Sequence, residues 1–135
     1  MKLYAIGENH LFAKTYKSAR RAGSPTVFVY ILRDRRERQL RNANPLKQSI
    51  NRVGISASKK IGGAVERNRA KRVIREAYYQ IEREYGVRRG NLVVIAARSK
   101  AVECKMQEVK RDLLMCFEKT DMLISPRQHG GDKNA

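Results

Sequence analysis

A chain of 135 residues is long enough for one domain with one core and too short for two. Hydrophobic residues make up 41% of it, which excludes a disordered tail, while 30 Lys and Arg against 13 Asp and Glu leave a formal net charge of +17. Such self-repulsion calls for an anionic partner, a nucleic acid or an acidic lipid surface, and no run approaches the ~18 consecutive apolar residues of a membrane span.

In chain order, the opening "MKLYAIGENH" lacks the apolar core of a secretory signal. Asn9 is placed to cap a helix predicted from about His10 to Arg21, with Phe12, Tyr16 and Ala19 at helical spacing and Gly23-Ser24-Pro25 as its stop. "TVFVYIL" (26–32) reads as a strand apolar on both faces. Residues 33–50 are polar, charged and broken by "NANP", and read as a loop. In "RVGISAS" (52–58), Val53, Ile55 and Ala57 alternate with Arg52, Gly54, Ser56 and Ser58, the mark of a half-buried strand. "KKIGG" turns the chain into its longest helix, about 64–84, and "LVVIAA" (92–97) is a short buried strand. A last helix, about 103–120, stripes Met106, Val109, Leu113, Cys116 and Phe117 along one face, and from Asp121 a flexible tail is expected. The order α-β-β-α-β-α predicts a two-layer α/β sandwich with a small sheet: one domain over 1–120 and a tail over 121–135.

The long helix carries the strongest functional signal. At ~100° per residue, Ala70, Val73, Ile74, Ala77 and Ile81 fall in one arc that must face the sheet. Arg67, Lys71 and Arg75 follow i, i+4, i+8, with Asn68 and Arg72 beside them about 130° around from that core, while Arg69 points elsewhere. A charged helix face is ordinarily a solvated face, but such faces mix signs. Here the pairing acids Glu82 and Glu84 come only after the basic block. An anion-binding face is the better reading. Lys59 and Lys60 precede the helix, its first amides favour a phosphate, and Gly62 and Gly63 allow close backbone approach. The turn lacks a GK[ST] ending and gives no nucleotide-hydrolase signal.

Phe12 and Tyr16 are i, i+4 on the first helix, and Phe28 and Tyr30 share one face of the first strand. These four either line one groove, suited to stacking the bases of an unpaired strand, or simply fill the core. Catalytic groups are harder to assemble: His10 and His129 are the only histidines, and no HExxH, CxxC or GxSxG occurs. Cys104 and Cys116 suggest neither a disulfide nor a metal site. They read as reduced thiols of a cytoplasmic protein. The residues point to binding rather than protein-borne chemistry. A structural or ribosomal RNA-binding protein with no role in cleavage fits the basic helix as well as any alternative. A DNA-binding regulator lacks its helix-turn-helix pair.

The segment "RVGISASKKIGGAVERNRAKRVIREAYY" (52–79) resembles the central segment of the protein subunit of bacterial ribonuclease P. The match lies in Ser58-Lys59-Lys60, Arg67-Asn68-Arg69, Lys71-Arg72 and Arg75-Glu76; Phe12, Tyr16, Tyr30 and "NLVVIAAR" extend it over roughly 9–120. The resemblance implies a catalytic RNA as partner and precursor tRNA as substrate. Removal of the 5′ leader would be performed by the RNA and its Mg²⁺, with no catalytic residue expected in the protein, no metal site assigned to it and no protein partner required. By that resemblance Arg67, Asn68 and Arg69 would contact RNA and Phe12, Tyr16 and Tyr30 would hold the single-stranded leader; position and phase add Lys59, Lys60, Lys71, Arg72 and Arg75 to the first surface and Phe28 to the second. The implied fold is a ribosomal protein S5 domain 2-like sandwich, its small mixed sheet containing a left-handed β-α-β crossover; general topology alone favours the other hand. Three features depart from the family pattern. Gly63 stands where asparagine is common, Asn91 replaces an aspartate with Arg98 shifted by one residue, and the loop 33–50 is longer than usual.

Overall fold

Alternation along Val27–Arg33 (β3) sends Val27, Val29 and Ile31 into the core and leaves Phe28, Tyr30 and Leu32 half-buried on the other face. The computed structural model describes residues 4–5, 20–43 and 50–124, and around β3 it builds a five-stranded mixed sheet. The other strands are Tyr4–Ala5 (β1), Arg20–Gly23 (β2), Arg52–Ser56 (β4) and Asn91–Ala97 (β5), in spatial order β1-β4-β5-β3-β2. β4 is parallel to both β1 and β5, whereas β3 is antiparallel to both β5 and β2. Three helices complete the described chain: Glu37–Ala43 (α1), Ala64–Glu84 (α2) and Met106–Lys119 (α3). α2 links the parallel neighbours β4 and β5, which makes the β-α-β unit expected from the sequence.

The core lies between the sheet and α2 with α3. Val27, Val29, Ile31, Val53, Val93 and Ile95 meet Ile74, Ala77, Ile81, Val109, Leu113 and Phe117 there. Tyr78 packs edge-on against Phe117, with centroids 6.0 Å apart. Cys104 and Cys116 are buried free thiols, and burial pushes both above the ordinary thiol value. A polar staple ties α3 to the start of β3: buried Asp112 accepts hydrogen bonds from the Thr26 hydroxyl at 2.6 Å and the Thr26 amide at 3.1 Å. Asp112→Ala would strand both donors and is expected to destabilise the fold by about 1–3 kcal/mol, read as a lower thermal midpoint.

Several elements differ from the sequence reading. Arg20–Gly23, spanning the predicted end of the first helix near Arg21 and the start of its stop at Gly23, is an edge strand held by its register with β3, Arg20 opposite Ile31 and Gly23 opposite Phe28. Four residues carry too little periodicity to announce a strand before it is paired. The rest of that predicted helix, with Asn9, His10, Phe12, Tyr16 and Ala19, lies outside the described residues, as does His129. The segment 33–50 contains a helix, α1. None of its residues is buried, so it has no apolar stripe for a periodicity argument to find. β4 is not half-buried: it sits between β1 and β5, and Arg52, Val53 and Gly54 are all buried. The first residues of the expected tail are packed instead. Asp121 turns the chain with φ 58°, Met122 and Leu123 are buried, and Leu123 bridges to Val87. The Met122 amide donates to the Phe117 carbonyl oxygen, the Met122 carbonyl oxygen accepts from the Arg88 amide, and the Ile124 amide donates to the Gly86 carbonyl oxygen, closing the gap between the ends of α2 and α3.

Candidate nucleic-acid interface

α2 begins where its sequence allows. Ser58 caps a 3₁₀ turn over Lys59–Ile61, its hydroxyl accepting the Lys60 amide at 3.3 Å, and Gly63 is the N-cap of α2. The apolar arc then orients everything else. Ala70, Ile74, Ala77, Tyr78 and Ile81 are buried, which rolls Asn68, Arg72 and Arg75 out to solvent and leaves Arg67 and Lys71 half-buried at the flank. Lys59 and Lys60 are exposed just ahead of the helix.

Charge is segregated along α2. In its C-terminal half the acids are matched: Glu84 meets Lys110 at 2.8 Å and Glu82 meets Arg89 at 4.0 Å. Burial raises the Glu82 carboxyl above its ordinary value even though Arg89 opposes the shift. In the N-terminal half, Lys59, Lys60, Arg67, Lys71, Arg72 and Arg75 form no salt bridge among the described residues. The Nε of Arg67 is buried without a hydrogen-bond partner there. Two acids lie within or just after this basic stretch, Glu66 and Glu76, and neither pairs with its cations among the described residues. Glu66 folds back over the glycine turn, so that a Cβ at Gly63 would stand 3.0 Å from its Oε1. Glu76 accepts a hydrogen bond from Gln80 at 3.3 Å. Because Glu66 complements the helix dipole, the first turn already carries an anion where a phosphate was expected.

Arg69 leaves this face, as its helical phase requires. Its guanidinium donates to the carbonyl oxygens of Val102, at 2.9 Å, and Cys104, at 3.5 Å, fastening α2 to the segment before α3.

The second site lies on the sheet face opposite α2 and α3. Phe28 and Tyr30 stack with centroids 5.3 Å apart and planes 24° from parallel. Register places Arg21 beside Tyr30 on β2, and Val94 and Ala96 beside the pair on β5. Gly54 and Ser56 of β4 follow, so small side chains floor the area next to the two rings. Arg98 holds the rim: its guanidinium lies 5.9 Å from the Phe28 centroid and donates to the Ser24 carbonyl oxygen at 3.0 Å. Phe12 and Tyr16, the other half of the expected groove, fall outside the described residues.

The family model described as Ribonuclease P matches residues 1–121. The chain belongs to the ribonuclease P protein family. A ribonuclease P protein component of Bacillus cereus is 33% identical over 121 residues, covering 90% of this chain and 94% of its own. One from Dehalococcoides mccartyi is 38% identical over 91 residues, 67% of this chain and 72% of that protein. Among solved structures, the RNase P protein from Staphylococcus aureus superposes with a TM-score of 0.66 at 23% identity, over 95% of this chain and 97% of that one. At that identity the likeness concerns the fold.

In this ribonuclease P protein the predicted residues thus fall into three places. Lys59, Lys60, Arg67, Asn68, Lys71, Arg72 and Arg75 share the start and outer flank of α2; Arg69 lies on the α3 side; Phe28 and Tyr30 occupy the far face of the sheet. Arg21, Gly54, Ser56 and Arg98 were not anticipated beside the aromatic pair. Strand alternation put Gly54 and Ser56 on a common face, but only the register of β4 on β5 brings that face to the rings.

Proposed function

We propose that this protein binds the catalytic RNA of ribonuclease P through the basic half of α2 and holds the single-stranded 5′ leader of precursor tRNA on the aromatic face, assisting endonucleolytic removal of the leader. The observation that carries this reading is the asymmetry of α2: Arg67, Lys71, Arg72 and Arg75 make no ion pair among the described residues, whereas its last turns present the acids Glu82 and Glu84, each already paired. An unmatched cationic face gains most from releasing the counterions of a polyanion. Two stacked rings beside a floor of small side chains suit unpaired bases, each worth about 1–3 kcal/mol.

On this reading the RNA and its Mg²⁺ supply the hydrolytic chemistry. Among the described residues no three His, Cys, Asp or Glu side chains converge on one point. No helix of the described residues is long and apolar enough to cross a membrane, and a cytoplasmic location accords with an RNA partner.

Reconstitution tests the proposal. The protein alone is expected to cleave nothing, yet to lower the Mg²⁺ or substrate requirement of a ribonuclease P RNA acting on precursor tRNA. No effect on leader removal would overturn it. Tyr30→Ala should reduce the preference for precursor over mature tRNA by on the order of tenfold, the loss of one stacked base, with binding of the catalytic RNA unchanged.

A further inference from the structure

The described residues of the long segment 33–50, residues 33–43 and 50, are held by contacts of their own. The segment's two ends are clamped through one residue: the Asp34 amide donates to the Gly90 carbonyl oxygen at 3.0 Å, and the Gly90 amide donates to the carbonyl oxygen of Ile50 at 3.1 Å. Gly90 sits at φ +92°, and a Cβ on it would stand 2.9 Å from Cγ of Glu37, so a glycine lets α1 seat against this turn. Beneath, the buried Asp34 carboxylate takes two hydrogen bonds from Arg52, at 2.7 and 2.8 Å, and one from the Arg36 amide at 3.0 Å. The stem is rigid. What it presents is not core, since no residue of α1 is buried.

It presents arginine. Five of the nine residues from 33 to 41 are Arg and none is Lys. Arg33, Arg35, Arg38 and Arg41 line one open pocket of about 640 Å³ with Leu32, Asp34 and Glu37. The two acids are already engaged, Asp34 by Arg52 and Glu37 by Arg41 at 3.5 Å. Arg33, Arg35 and Arg38 are exposed and make no ion pair among the described residues. Guanidinium forks converging on a concavity match the bidentate geometry of phosphate oxygens.

The pocket is not part of the α2 face. Leu32, Leu92 and Arg52 share one level of the sheet, at the starts of β4 and β5. The Lys59–Ile61 turn and the start of α2 follow the other end of β4. At ~3.3 Å per strand residue the pocket and that turn lie roughly 15–20 Å apart, and no residue of α2 lines the pocket.

We propose that the α1 pocket is a second seat for an RNA phosphate backbone, so that the protein grips two separated RNA segments at once. This rests on the RNA-binding reading above and adds a site to it. The phosphates come either from the catalytic RNA or from precursor tRNA, and the test separates them.

Arg35→Gln/Arg38→Gln keeps good helix formers on an exposed surface. Its affinity would be measured across a salt series for a ribonuclease P RNA alone and, separately, for a precursor tRNA. Affinity should fall on the order of tenfold at low salt in at least one arm. The slope of log K against log salt should become shallower there by about 1.4–1.8, the loss of two phosphate contacts. The arm that responds names the RNA. Combined with Lys71→Gln/Arg72→Gln/Arg75→Gln on α2, the losses should multiply, as for independent sites. If the α1 variant binds both RNAs like the parent while the α2 variant is weakened, the second seat is wrong and the RNA-binding reading stands. If neither variant changes RNA binding, both fall. Should the double variant melt early, Arg38→Gln alone should still show half the slope change, and an unchanged slope overturns the proposal.

Discussion

Arg52→Met is expected to destabilise the fold by about 3–5 kcal/mol, the usual consequence of stranding one charge of a buried pair. The Arg52 and Asp34 side chains are only 7% and 1% exposed, and the guanidinium meets both carboxylate oxygens. Removing Arg52 leaves a buried carboxylate whose remaining described donor is the Arg36 amide, and loosens the stem of segment 33–50. At about 3–4 °C per kcal/mol for a domain of this size, the thermal midpoint should drop by on the order of 10–20 °C. Arg52→Met/Asp34→Leu should recover part of the loss, because no buried charge then remains. A midpoint within a degree or two of the parent would show that the pair carries no such weight.

The same pair sets an acid limb. Burial alone would raise the Asp34 carboxyl, but hydrogen bonds from Arg52 and the Arg36 amide, with the charges of both arginines, hold it below its ordinary value of 3.8. A carboxyl depressed in the folded state contributes stability that is full above the unfolded value. That contribution is lost as pH falls from about 3.8 through the lower folded value. Denaturant titrations between neutral pH and pH 3 should therefore show a shallower acid decline in Arg52→Met than in the parent.

The largest functional effect is expected from Lys71→Gln/Arg72→Gln/Arg75→Gln. Three exposed or half-exposed cations without ion pairs leave one helix face, so affinity for a ribonuclease P RNA should fall on the order of a hundredfold at low salt. The salt slope should become shallower by about 2–2.7. The fold should not suffer, since Ala70, Ile74 and Ala77 keep the apolar arc and Gln is a good helix former. Arg69→Ala is the contrast. It removes hydrogen bonds to the carbonyl oxygens of Val102 and Cys104, so its thermal midpoint should fall too. Equal melting of Arg69→Ala and the parent would deny the fastening role, and an unchanged salt slope in the triple variant would remove α2 from the RNA interface.

Much of this was legible in the chain. The α2 face follows from phase: once Ala70, Ile74 and Ala77 are taken as core, the outward direction of Arg72 and Arg75 is a matter of 100° steps. β3 announced itself by β-branched and aromatic residues, and α3 by its apolar stripe. Features made by pairing did not show. The strand character of Arg20–Gly23 exists because β3 lies beside it, and Arg52 is buried because β4 runs between β1 and β5. Read on its own, an arginine in an alternating strand belongs on the solvent side. Nothing local told that Asp34, eighteen residues earlier, would neutralise it.

Local pattern, then, was enough for the class of fold, the composition of the basic face and the anionic character of the partner, because helical phase, strand alternation and net charge are properties of short segments or of the whole composition. Which cations are spent inside the protein depends on contacts distant in sequence. Arg52 and Arg69 are engaged by Asp34 and by the chain before α3, while Arg67, Lys71, Arg72 and Arg75 make no ion pair among the described residues. The segment 33–50 shows the same division: its arginines are plain in the sequence, but only the clamp at Gly90 and the buried Asp34–Arg52 pair gather four of them around one pocket.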